Sequence, residues 1–406
     1  MDNIDWVRYD IVDTVKTRFE AYPTYKEVPM KKFLLIPDSF KGTMSSQEIC
    51  SIMAKSIHMH YPEAEVVSIP VADGGEGSVD SFLQAMGGEK RTVVVKGPYM
   101  KDMGAFYGVV GGNTAIIEMA ACAGLPLVGD DKRPDKTTTY GVGQLMLHAV
   151  RNGCTKLIVG LGGSATNDAG CGAAAACGIR FLDEAETEFI PTGGTLGQVA
   201  RIDRDTLADE FKNVEIITMC DIDNPFSGTT GAAYVFGPQK GADDAMVKYL
   251  DSQMAALAKV IERDCGIDVQ AIPGSGAAGG MGGGMAAFFD SQLQMGIETV
   301  LDTVRFDELV QDADLVLTGE GKIDGQSLRG KVVIGVARRA KACSVPVVAI
   351  VGDIGDDIEG AYDEGVSGIF SINRVAVEFK QAAKRCTSDM ALTIDNLIRF
   401  CKRMGL

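Results

Sequence analysis

The sequence predicts an α/β protein built from two domains around mainly parallel sheets. Three observations carry this. Strand-like apolar runs alternate with helical stretches along the chain. Several of these runs end in loops rich in glycine, serine, aspartate and lysine. With 406 residues, the chain is also longer than a single core usually serves.

Taken in order, residues 1–30 read as an N-terminal amphipathic helical extension. Ile4, Val7, Ile11, Val15 and Phe19 recur at helical spacing among Asp2, Asp5, Asp10 and Asp13, and the pattern ends before Pro23. The segment lacks the basic start and continuous apolar run of a signal peptide. Docking on the body of the protein, a dimer contact and a regulatory arm are its three readings. Next comes a strand, KFLLIP (Lys32–Pro37), followed by a helix starting at Ser45-Ser46 with Glu48 placed for a capping box. EVVSIPV (Glu65–Val71) precedes the helical stretch SVDSFLQAM. Leu157–Gly160, Val214–Met219, Asp314–Leu317 and Pro346–Val351 repeat the strand theme. Two places look like junctions: Lys96-Gly97-Pro98, and PGSGAAGGMGGG (273–284), where seven of twelve residues are glycine and a hinge or a close backbone contact would follow. The resulting division is an outer domain of 31–96 plus 285–406, with 97–284 inserted into it.

Composition narrows the partners. The formal net charge of −16 disfavours nucleic acid and anionic membranes, so an anionic substrate needs local cations. The ten cysteines show no C-x-x-C spacing and the three histidines are not near a cysteine cluster, which excludes a zinc pattern and a disulfide framework and suggests a reduced, cytoplasmic setting. No apolar run is long enough to span a membrane.

The chemistry sits in four loops: PDSFKGTMSS (37–46), VADGGEGS (71–78), GLGGSATND (160–168) and TGEGKIDGQSLRGK (318–331). Ligands of open parallel sheets bind outside the carboxyl ends of the strands, where these loops fall. In the third, Gly160-x-Gly162-x-x-Ala165 fits a loose dinucleotide fingerprint with Asp183 downstream, but Ser164, Thr166, Asn167 and Asp168 crowd the expected helix start. A dinucleotide, a phosphate cradle and a plain structural turn all remain open there. In the second, Asp73 and Glu76 offer hard oxygens for Mg²⁺ between glycines, or simply cap a helix. The fourth nearly matches a P-loop, but Val332 stands where a hydroxyl should bind metal. What remains useful there is Glu320, Lys322, Asp324, Arg329 and Lys331: cations for a carboxylate or phosphoryl group, acids for a base or metal. The first offers Asp38, Ser39 and Lys41. CDIDNP (220–225) and FGPQKG (236–241) are weaker candidates that read equally well as turns.

Together, PDSFKGTMSS, VPVADGGEGS, GLGGSATND, CDIDNP, VFGPQKGA, IPGSGAAGGMGGG and TGEGKIDGQS resemble the glycerate kinase family, the bacterial type that is not a P-loop kinase, from about residue 31 to about 351. The resemblance implies ATP-dependent phosphorylation of D-glycerate, typically on the 2-hydroxyl to give 2-phosphoglycerate, with 3-phosphoglycerate as the alternative. It also implies a flavodoxin-like domain and one likened to restriction enzymes. Arg329 departs from the family's usual histidine and Val333 from its common proline. The expected roles are Asp168 or Asp324 as base, Lys322 on the transferring group, and Asp38, Ser39, Lys41 and Arg329 on the substrate. Gly162, Gly163, Ser164, Asn167, Gly319 and Glu320 are expected on the nucleotide, and Asp73 and Glu76 on Mg²⁺. The rivals are an NAD(P)-dependent hydroxy-acid oxidoreductase using residues 160–165 and a non-catalytic sugar-acid binding protein.

Overall fold

The computed structural model describes residues 30–72 and 74–405. The helix expected before residue 30, and Asp73, lie outside the described residues. In chain order the strands are β1 (Lys32–Pro37), β2 (Glu65–Ser68), β3 (Glu89–Lys96), β4 (Asp102–Val110), β5 (Thr114–Glu118), β6 (Lys156–Gly160) and β7 (Arg180–Leu182). There follow β8 (Glu188–Phe189), β9 (Arg201–Asp203), β10 (Glu215–Met219), β11 (Gln292–Gln294), β12 (Leu315–Ile323), β13 (Val347–Ile354) and β14 (Val366–Ser371).

β1 is buried along its whole length because both faces of its sheet are covered, which is why KFLLIP is continuously apolar after its first residue. It pairs in parallel with β2 on one side and β12 on the other, and the sheet runs β14-β13-β12-β1-β2. Ranked by chain position within this sheet, the order is 2-1-3-4-5, the flavodoxin-like arrangement. Helix α1 (Ser46–His60) follows β1 behind the expected capping box: Ser45 Oγ accepts the Glu48 N–H, and Glu48 accepts the Ser45 N–H at 2.8 Å. The second sheet runs β11-β10-β6-β5-β4-β3, parallel from β11 to β5 with two antiparallel strands added. A three-stranded sheet, β8-β7-β9, completes the strands described.

The sheets divide the chain differently from the expected boundaries. β3 pairs with β4 along its length, and β11 pairs with β10, so Glu89–Lys96 and Gln292–Gln294 belong to the second sheet. The chain therefore crosses over shortly after residue 71 and returns after Gln294, not at 97 and 284. Lys96-Gly97-Pro98 lies at the β3–β4 hairpin turn, where the Gly97 N–H donates to the Lys101 carbonyl. The glycine run makes the close backbone contact. It enters helix α2 (Ala277–Phe289), interrupted by left-handed backbone at Ala278, Gly279 and Gly280. A β-carbon on Gly279 would stand 2.1 Å from the Thr166 carbonyl oxygen, and one on Gly284 2.0 Å from that of Ala169. Those glycines let α2 press directly on the loop after β6.

The crossover is itself a joint. The Ile69 and Val71 N–H groups donate to the Leu35 and Pro37 carbonyls, extending the contact with β1. Immediately beyond, the Gly74 carbonyl accepts the Gly162 N–H at 3.0 Å. A β-carbon on Gly160 would lie 2.2 Å from the Gly74 oxygen, and one on Gly162 2.5 Å from the Gly75 α-carbon. The glycines of VADGGEGS and GLGGSATND thus answer one another before they answer any ligand. Leu34, Ile36, Val71, Phe82, Ile158, Ile217 and Val316 join both sheets in one apolar cluster beneath this contact. Gly160→Ala is expected to lower the unfolding free energy by about 1–3 kcal/mol in urea denaturation. Gly104→Ala, where a β-carbon meets nothing within 4 Å, should leave it within about 0.5 kcal/mol.

Candidate active site

The carboxyl ends of the two sheets open onto one cleft of about 1470 Å³. From the first sheet come Asp38, Ser39, Phe40 and Lys41 after β1, Glu320, Gly321 and Lys322 on β12, and Asp353 on β13. Strand order reverses between β1 and β12, the position where open α/β sheets hold ligands. From the second sheet come Leu161–Ser164 after β6, Cys220–Asn224 after β10, and Lys240. Arg329, from the turn after β12, pairs across the cleft with Asp223 at 3.6 Å, both largely exposed.

β12 is longer than the sequence pattern suggests, because β1 and β13 flank it and supply hydrogen bonds past the apolar run. Gly319 consequently lies inside the sheet, opposite Pro37 and Ile350, and its carbonyl accepts the Asp38 N–H at 2.8 Å. It builds the site without lining it. Glu320 is only 6% exposed and faces the cleft, and its Oε1 has no hydrogen-bond partner. Burial pushes this carboxyl up to about 7; the Ser327 hydroxyl and Lys331 oppose the shift, while Asp38 and Asp324 add to it. Lys322 stands 3.5 Å from Asp324. Asp324 accepts the Gln326 N–H at 3.0 Å and begins the turn that carries Arg329, outside the cleft lining. At the end of β1, Asp38 accepts the Ser39 N–H at 2.6 Å.

The second sheet's contribution departs further from expectation. No helix begins at Gly162–Asp168. Residues 161–170 are irregular, and the next helix is the short Cys171–Ala176. Asp168, expected as a base, is fully buried and absent from the cleft lining. Its carboxylate accepts the Thr139 N–H (2.7 Å), the Thr139 hydroxyl (2.9 Å) and the Gly172 N–H (3.2 Å). Burial raises its pKa against those bonds. It is an anchor for the loop. Asn167 is buried too, donating to the Met254 sulfur, and does not reach the cleft. Glu76 is exposed and outside the lining. The dinucleotide fingerprint fails physically: Gly74 and Gly75 occupy the space beside Gly160 and Gly162, and Asp183 accepts the Ala185 and Thr187 N–H groups of its own turn.

In the sequence Lys240 reads as a cation at the tip of a turn, yet it is buried in the cleft wall and donates to Ser164. Its only sequence signal was a lysine between glycines in FGPQKG, which does not distinguish a buried ammonium from a surface one.

Comparison with known proteins decides the family. The glycerate kinase family model matches residues 33–402. The chain belongs to the glycerate kinase family. A glycerate kinase of Bacillus subtilis is 43% identical over 380 residues, covering 92% of this chain and all of that one. Glycerate 2-kinase of Escherichia coli is 43% identical over 84% of this chain and 90% of its own. A crystal structure from Salmonella typhimurium LT2, described as a glycerate kinase 2, superposes with a TM-score of 0.81 at 38% identity, covering 92% of this chain and 99% of that one. The family is one of phosphotransferases, so the oxidoreductase alternative has no support. Among the described residues no helix is long and apolar enough to cross a membrane.

The buried carboxyls give a pH-dependent expectation. Glu320 titrates higher folded than unfolded, so the stability tied to its proton is present below about 4.5 and lost as pH rises through about 7. Glu320→Gln should therefore raise stability by on the order of 1–3 kcal/mol at pH 8 and far less at pH 5, read from unfolding curves at both pH values. Asp168→Asn should instead destabilise by about 1–3 kcal/mol in the same experiment, because an amide cannot accept all the bonds the carboxylate accepts.

Proposed function

We propose that this protein transfers the γ-phosphoryl group of ATP to the 2-hydroxyl of D-glycerate. The observation that carries this reading is Glu320, a buried carboxylate with an unpartnered oxygen, facing the cleft at the strand-order reversal among Lys41, Lys322 and Lys331. Phosphoryl transfer asks for positioning, charge neutralisation and a late proton acceptor, and this side of the cleft offers all three. In this reading Lys41 and Arg329 hold the substrate carboxylate. Asp38 and Ser39 orient its hydroxyls. Glu320 takes the proton of the attacking hydroxyl as the new O–P bond forms, and Lys322 offsets charge on the phosphoryl oxygens. Gly162, Gly163 and Ser164 face the nucleotide phosphates from the second sheet. Asp168 and Asp324 shape the loops and touch neither substrate.

The donor set also fits Mg²⁺ arriving with the nucleotide, which usually keeps only one or two protein carboxylates. Asp221 lines the cleft from β10, beside the loop after β6, and would be that carboxylate. When bound, the ion neutralises phosphate charge. Neither Glu76 nor Asp324 is placed for it.

The test is ADP release from MgATP with D-glycerate, beside L-glycerate, tartronate and no acceptor, with the product's phosphate located by phosphorus NMR. D-glycerate-dependent turnover with the phosphate on carbon 2 is expected; a carbon-3 product overturns the regiochemistry, and no turnover overturns the reading. At saturating MgATP, kcat/KM for glycerate should rise with pH and level off above about 7. In Glu320→Gln that limb should vanish and kcat fall by about 10²-fold or more. Arg329→Ala should raise KM for glycerate about tenfold with kcat little changed, the pattern of a lost substrate-binding contact.

A further inference from the structure

We infer that Lys240 is a phosphate-binding residue of this cleft, its ammonium placed beneath Ser164 to take a phosphoryl oxygen of the nucleotide and to hold the 162–164 backbone against it. The inference rests on the kinase reading above for the identity of the ligand, but not for the site itself. Lys240 closes the turn Pro238–Lys240 and is followed by Gly241 in left-handed backbone. Its residue is 2% exposed, yet it contributes to the cleft wall. Nζ donates to Ser164 Oγ at 2.7 Å and to the Thr166 carbonyl at 2.7 Å. An ammonium has three N–H bonds, and among the described residues no third acceptor engages it.

No carboxylate among the described residues pairs with Lys240. Asp168 is the charged group whose field reaches it, and that carboxylate is already committed to Thr139, Gly170 and Gly172. Burying an ammonium without a paired anion costs several kcal/mol, so a lysine kept in such a place is one that an incoming anion completes. The second observation is the missing helix. The irregular segment 161–170 supplies no helix N-terminus at Gly162–Ser164, so backbone dipoles of that kind do not attract phosphate there. The other cations lining the cleft, Lys41, Lys322, Arg329 and Lys331, all come from the first sheet's side. Lys240 is the positive charge offered from the second.

Geometry of this kind has a proton signature. Burial lowers the Lys240 pKa to about 7, with Asp168 opposing the shift. Above that pH the lysine is largely neutral, and a bound phosphate draws a proton onto it. The experiment is calorimetric titration at pH 8 with ADP, and separately with inorganic pyrophosphate, in buffers of different ionisation enthalpy. Wild type is expected to take up a proton with each ligand. Lys240→Met, shown folded by circular dichroism, should lose that uptake and bind at least tenfold more weakly; Lys240→Arg should bind without uptake. Uptake or affinity unchanged in folded Lys240→Met overturns the assignment. Should the variants not fold, wild type alone decides: affinity for pyrophosphate must weaken from pH 8 to pH 9.5, and a flat profile overturns the inference. Proton-linked pyrophosphate binding without D-glycerate-dependent ADP release would overturn the kinase reading and leave Lys240 a phosphate ligand.

Discussion

The contact between Gly74 and the Gly160–Gly162 backbone is the constraint on which the site depends. It exists only because three positions lack a side chain, and it locks the crossover from the first sheet onto the central strand of the second. The apolar cluster beneath it spans both sheets, so their carboxyl ends are held facing each other by packing rather than by a linker. Residues 162–164 come from one side and Glu320 from the other, and their separation is set by this joint.

The cleft does not share the protein's acidic excess, since five carboxylates, Asp38, Asp221, Asp223, Glu320 and Asp353, are matched by five cations. A chain with a net charge of −16 concentrates Lys41, Lys240, Lys322, Arg329 and Lys331 around one opening. Two groups there, Glu320 and Lys240, are both moved to about 7, from opposite directions and by the same cause, removal from water. Burial of this sort opposes folding. Its retention in the two facing walls of one cleft, Glu320 on the sheet whose strand order marks a ligand position and Lys240 opposite, is the pattern of groups kept for chemistry.

Much of this was legible in the sequence, for reasons that can be named. Continuous apolarity in KFLLIP and the Ser45/Glu48 spacing are local signals, and the strand and the capped helix follow them. Loops at strand ends are visible as polar–glycine punctuation, so Asp38, Ser39, Lys41, Lys322 and Arg329 could be placed at a site before any fold was known. The illegible part is tertiary. Nothing local distinguishes a glycine that meets a phosphate from one that meets another glycine, and Gly74 and Gly160 are of the second kind. Asp168 reads as a reactive acid until Thr139, from a distant segment, consumes it. Lys240 reads as a surface turn until the loop after β6 buries it. Gly319 reads as loop because apolarity stops at Leu317, while ladder partners on both sides hold it in the sheet and β13 alone carries β12 on to Ile323.

The insertion also orders events in time. β1 finds its central neighbour β12 only across the whole intervening unit; the Lys32 N–H bonds to Asp314, 282 residues away. The second sheet, by contrast, pairs only strands lying between Glu89 and Gln294. On a ribosome emitting the chain from its N-terminus, the inserted unit can be assembled while β1 and β2 still wait, exposed, for a partner not yet synthesised. Loop closure over that distance is slow relative to local pairing. The half of the cleft that carries Glu320 is therefore the last to form, and the protein gains its cleft only when almost the entire chain has been made.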